Sequence, residues 1–116
     1  MNAQLEIDLA PLPAIVPVPR TGSLDERFDA FCDANPQLVA RFDQLALDEV
    51  RRGHKRVGAK MLLEVIRFYY RRDHAAEDTW AVNNSYSSRL ARRAAQRYPE
   101  LRDAFETRAL RSGRAA

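Results

Sequence analysis

The sequence predicts an all-α protein: about five helices in one domain, behind a proline-rich N-terminal arm. Three observations predict it. Apolar residues recur at spacings of three and four from Leu24 to Phe105, the period of a helix face. Helix-start residues precede those stripes at Ser23, Asn35, Asn84 or Ser85, and Pro99. The one β-prone run, "TWAV" at 79–82, is too short to stand alone as a sheet. A chain of 116 residues with 46% apolar content can bury a single core without metal or disulfide.

Residues 1–22 form the arm. Prolines at 11, 13, 17 and 19 fix their own φ and remove backbone donors, so extended or disordered chain is expected. Leu12, Ile15, Val16 and Val18 could lay it on its own domain or on a second subunit, against the alternative of a loose tail. The helical domain is expected over 23–112. Ser23 followed by Glu26 fits a capping box. The helix behind it presents Leu24, Phe28 and Phe31 on one side.

Asn35 is read as the N-cap of the second helix, with Pro36 in its first turn, where no donor is missed. Leu38, Val39, Phe42, Leu45, Ala46 and Val50 form its stripe, and Gly53 suits the left-handed residue after its end. Asp48 and Glu49 are read as solvated charge. The turn "HKRVGAK" leads into a third helix, "KMLLEVIRFYYRR", apolar nearly all around and therefore expected to be the most buried. Glu64 and Arg67 can pair on its surface.

After "DHAAED" the 79–82 segment is expected to be extended, as a hairpin or wing, with Trp80 anchoring it. A helix follows to Arg97 with Tyr86, Leu90, Ala94 and Tyr98 as a narrow stripe. A last helix is expected from Pro99, "PELRDAFETRAL", with Leu101, Phe105 and Leu110 facing in.

Several function classes lose ground on composition. No apolar run approaches the roughly 20 residues of a membrane span. The acidic start "MNAQLEIDLA" lacks the basic region of a secretory signal, so a cytoplasmic location is expected. Cys32 is the only cysteine and reads as a buried thiol. His54 and His74 fall in turns, far from any zinc-like spacing. The four glycines are scattered, and no nucleophile signature appears. Neither enzyme, cofactor nor metal is expected.

The net charge of +3 hides an asymmetry. Residues 1–50 carry 3 basic and 9 acidic side chains, and residues 51–116 carry 16 and 7. That split suggests a basic face that draws a polyanion. Yet 17 of the 19 basic residues are arginine, and a GC-rich genome yields such usage whatever the function. The contact candidates are Ser85, Ser87, Ser88 and Arg89 at a helix start, then Arg92, Arg93 and Arg97. Lys55, Arg56 and Lys60 in the turn "HKRVGAK", before the third helix, are candidate backbone contacts. Arginine can bond guanine bidentately, serine can bond base edges, and helix N-termini favour phosphate. Three helices in series with the turn at 53–58 suit a trihelical helix-turn-helix-like core, with 79–82 as a wing. On that reading Arg89, Arg92 and Arg93 can be replaced without loss of the fold. In the competing reading helix three, including its "FYY" end, the hydrophobic arm and the many arginines serve an oligomer interface, such as a homodimer, or bind an acidic protein surface, since arginine and tyrosine anchor interfaces.

"FDAFCDANP", "GHKRVGAKMLLEVIRF", "VNNSYSSRLAR" and "YPELRDAFETR" together resemble a family of small, uncharacterised phage and prophage proteins. The resemblance runs from Phe28 onward and leaves the arm outside. It implies a bacterial host cell and an accessory protein that acts by binding. Two forms are expected: a DNA-binding regulator, or a module that blocks a host protein or defence complex in the manner of an anti-CRISPR. An oligomeric structural component is a third.

Overall fold

A computed structural model of the chain describes residues 10–76 and 79–105. Among them are four α-helices, α1 (Leu24–Ala34), α2 (Pro36–Arg51), α3 (Ala59–Asp73) and α4 (Tyr86–Arg97), and one 3-10 turn, Pro99–Leu101. The all-α class holds, and the described residues give four helices where about five are expected. Pro99 starts only that 3-10 turn; the rest of the expected last helix, including Leu110, lies outside the described residues.

α1 starts as its sequence dictates. The Ser23 hydroxyl accepts from the Glu26 N–H at 3.1 Å, and the Ser23 N–H donates to Glu26 Oε1 at 2.7 Å. Gly22 before it has φ +86°, and a Cβ there would stand 2.8 Å from Glu26 Oε1. A side chain at 22 would therefore collide with the cap as well as strain the backbone. Phe28, Phe31 and Cys32 are the buried face. Burial pushes the Cys32 thiol up to about 11.

Asn35 separates α1 from α2, and its side chain does not cap α2. Its amide is turned onto the arm instead. Oδ1 accepts from the Val16 N–H at 2.8 Å, and Nδ2 donates to the Val16 carbonyl at 3.0 Å and the Phe31 carbonyl at 3.0 Å. The cap is given up because a two-point bond to an extended strand of chain satisfies donor and acceptor together.

The arm, over its described residues, is a packed part of the domain. Leu12 and Ile15 are buried. The Ile15 N–H donates to Tyr70 Oη at 3.0 Å. Arg41 Nη2 donates to the Ala10 carbonyl at 2.7 Å, and His74 Nε2 bonds the Leu12 carbonyl at 2.8 Å. A proline-rich segment has no ladder of its own, so side chains of the helices take over the pairing of its backbone.

The core runs through Phe31, Phe42, Ile66, Tyr70, Leu90 and Leu101. On α2 Leu47 joins the buried set, while Leu45 and Val50 are half-buried. Asp48 is buried and held by Arg52 Nε at 2.7 Å, so the solvated position expected for it is corrected. Gly53 has φ +104°, as its place after α2 requires.

Residues 79–82 are irregular, with no hairpin among the described residues. Trp80 packs edge-on to Tyr70 with ring centroids 5.5 Å apart, the anchoring its sequence position implies. The Val57 N–H donates to the Ala104 carbonyl at 2.9 Å. Phe105 stacks on Phe42 at 6.0 Å. These contacts fasten the chain after α4 to the α2–α3 turn.

Asn35→Ala removes three bonds at a buried site and is expected to cost about 2–3 kcal/mol. Urea denaturation measures it. A cost below about 0.5 kcal/mol, the range of a neutral surface change, would contradict this account of the arm.

Candidate functional site

α4 carries the leading candidates that the sequence offers, and its local structure is well formed. Asn83 Oδ1 accepts from the Ser85 N–H at 2.9 Å and from its hydroxyl at 2.6 Å. Ser85 is the N-cap, one of the two residues expected there, but its hydroxyl is turned back to Asn83 in this Asx turn and makes no cap bond to the helix. Tyr86, Leu90, Ala91 and Ala94 are buried.

The arginines of α4 divide. Arg89 Nε donates to Asp25 Oδ1 at 2.9 Å, tying α4 to the start of α1 on the surface. Arg93 reaches inward, with Nη1 3.8 Å from Oδ2 of buried Asp43. Burial pushes the Asp43 carboxyl above its ordinary range, while Arg93 and Arg97 oppose that shift. The pair is loose: neither Asp43 Oδ1 nor Arg93 Nη1 has a hydrogen-bond partner. The Arg97 guanidinium lies 6.0 Å from the Tyr98 ring centroid. Arg92 is exposed, and with Ser85, Ser88 and Gln96 it lines the outer side of α4; Ser87 is half-buried.

The remaining sequence candidates are not brought to the serines. Lys55, Arg56 and Lys60 are exposed around the α2–α3 turn. That turn is bonded to the segment beyond the C-terminal end of α4. The serines sit at the other end of a 12-residue helix, about 18 Å long. A helix-turn-helix also needs a short turn before its recognition helix, whereas residues 74–85 separate α3 from α4.

The structure exposes one side of α3, the helix that the sequence reads as core and as a possible oligomer interface. α3 buries Leu62, Leu63, Ile66 and Tyr70. Its other side is open: Met61 is 47% exposed, Val65 37%, Phe68 59% and Tyr69 40%. The expectation of the most buried helix is therefore corrected. α3 packs on α2 and α4 along one side only, and nothing among the described residues covers the opposite one. Met61, Val65, Phe68 and Arg72 succeed each other at four, three and four residues, forming a single seam. Phe68 and Tyr69 meet edge-on at 5.3 Å, with the Arg72 guanidinium 5.8 Å from each ring. Glu64 and Arg71 flank the seam on one side. The Glu64–Arg67 pair is present but long, at 4.0 Å.

Among the described residues no cluster of histidine, cysteine and carboxylates could hold a metal ion. No helix there is long and apolar enough to cross a membrane. Comparison with protein-family models, with curated proteins and with solved structures gives no match.

Arg93→Ala leaves Asp43 buried without its nearest cation, at an expected cost of about 2 kcal/mol at pH 7, less than for a fully buried pair because Arg93 is partly exposed. The Asp43 carboxyl is raised in the fold, so its protonated form is favoured there. Its contribution is intact below the ordinary carboxylate range and is lost as pH rises through the folded value. The deficit of Arg93→Ala should therefore shrink towards pH 4, and Asp43→Asn should restore stability at pH 7. Denaturation curves at both pH values test this; a deficit independent of pH and of Asp43 would contradict it. Cys32 should resist thiol reagents in the folded protein, and labelling at the rate of an exposed cysteine would contradict its burial.

Proposed function

We propose that the chain is a binding protein whose working surface is the outer face of α3, and that it meets another protein surface there. One observation carries this reading: Met61, Val65, Phe68 and Tyr69 stand exposed on a rigid helix, in one strip, with arginine at its edge. A soluble domain scatters single exposed apolar residues without consequence, but a contiguous strip of four large ones marks a contact. Phenylalanine, tyrosine, methionine and arginine are the side chains enriched at the centres of protein interfaces. The fold does not need Phe68 or Met61, because its core is filled from the other side of the helix. This reading fits a small phage-type accessory protein acting by binding, including one that blocks a host protein.

Duplex DNA binding by α4 is the second reading, supported by the exposed line of Ser85, Ser88, Arg92 and Gln96. With Arg89 and Arg93 engaged within the fold, Arg92 would carry most of the contact. Its affinity would fall steeply with salt.

A photo-crosslinking p-benzoylphenylalanine in place of Phe68, compared with one in place of Arg92, separates the two. The expected result is a protein adduct from position 68 and none from position 92. Adducts confined to position 92 and to DNA would overturn the α3 reading, as would silence at position 68.

A further inference from the structure

We infer that the partner of the α3 face is a second copy of this chain, docked as an antiparallel α3–α3 pair about a two-fold axis. This rests on the reading of that face as a protein-contact surface and names its occupant. The strip is self-complementary. In an antiparallel pair of helices each seam residue packs beside one whose number runs the opposite way. With the axis midway between Val65 and Phe68, Val65 lies against Phe68 of the other copy, and Met61 against the methylene stem of Arg72. A two-fold operation repeats both contacts, so one strip supplies both halves of the interface.

The flanking charges agree with that register. Glu64 and Arg71 are seven residues apart and lie on the same flank of the seam. In an antiparallel arrangement this flank meets its own copy, which sets Glu64 of each chain opposite Arg71 of the other, twice. A parallel pair would not cross those two positions. Glu64 is available for the exchange: its bond to Arg67 is 4.0 Å long, and its side chain is 53% exposed. An all-basic flank would point to a polyanion instead. Here a carboxylate stands beside the most exposed aromatic ring, where it would repel nucleic acid and where an arginine of a second copy satisfies it. Arg72, already folded over Phe68 and Tyr69, extends the apolar cover at the end of the seam.

Sedimentation velocity on the full chain, over about 1 to 300 µM, tests the pairing. Wild type should pass from monomer to dimer in that range. Glu64→Arg and Arg71→Glu each replace two attractions by two repulsions and should each weaken self-association by about tenfold or more. Mixed together, these two single variants regain both attractions, so a heterodimer should form where neither variant dimerises alone. Phe68→Ser should be monomeric with an unchanged helical circular dichroism spectrum, since the ring is not part of the core. A wild type that stays monomeric throughout overturns the pairing, and so does a mixture that forms no heterodimer. If the wild type is monomeric while position 68 crosslinks to a different protein, only the identity of the partner falls. If position 68 crosslinks to nothing, the protein-contact reading falls with it.

Discussion

The Asn35 side chain joins three parts of the molecule at one point. Its amide closes the end of α1 through the Phe31 carbonyl and grips the backbone of the arm at Val16 from both sides. α2 starts at the very next residue. A chain of this length gains little from an extended proline segment unless its backbone groups are satisfied, because an unpaired buried amide costs more than a single contact returns. Asn35, Tyr70, His74 and Arg41 provide that satisfaction. Only then can Leu12 and Ile15 close over the core. Tyr70 is the second pillar: its hydroxyl receives the Ile15 N–H and bonds Thr79, and its ring is held between His74 and Trp80.

That arrangement gives α3 two unequal sides. One side, through Tyr70, Ile66 and Leu62, takes part in the core. The other carries Phe68 and Met61 into solvent. Keeping large apolar side chains exposed lowers solubility and adds nothing to the folded domain, which is why the proposed contact is placed on this strip. The arginines of α4 follow the opposite logic. Arg89 and Arg93 look like a contact surface in a linear sequence, yet they are spent inside the molecule on Asp25 and Asp43. Arg51 is likewise paired with Glu100, which it holds below the usual carboxylate range through two hydrogen bonds.

The helical class was legible in the sequence because it rests on local signals: the Ser23–Glu26 box, Pro36, Gly53, and apolar spacing on α2 and α4. What was not legible depends on the third dimension. Asn35 carries the residue type of an N-cap, and nothing near it in sequence says that Val16 will compete for its amide. Asp48 reads as surface charge until its partner, Arg52, is seen beside it. On α3 an apolar residue that faces a core and one that faces a partner have the same chemistry, so periodicity alone made one broad stripe of two separate faces. The 61–65–68–72 spacing was a usable sign, since it describes a seam distinct from the 62–63–66–70 set. After Pro99 the local signal favoured a helix, but the described chain turns back at Ala104 to bond Val57, a contact 47 residues distant in sequence.

Everything else depends on the arm being seated by polar bonds on the helices, with the outer side of α3 left uncovered among the described residues. Native-state hydrogen exchange at the Ile15 and Val16 amides tests it most directly, because these two N–H groups of the arm donate to Tyr70 Oη and Asn35 Oδ1. Protection at both amides comparable to that of α2 is expected, with the two opening together. Exchange at the rate of an unstructured peptide would contradict it.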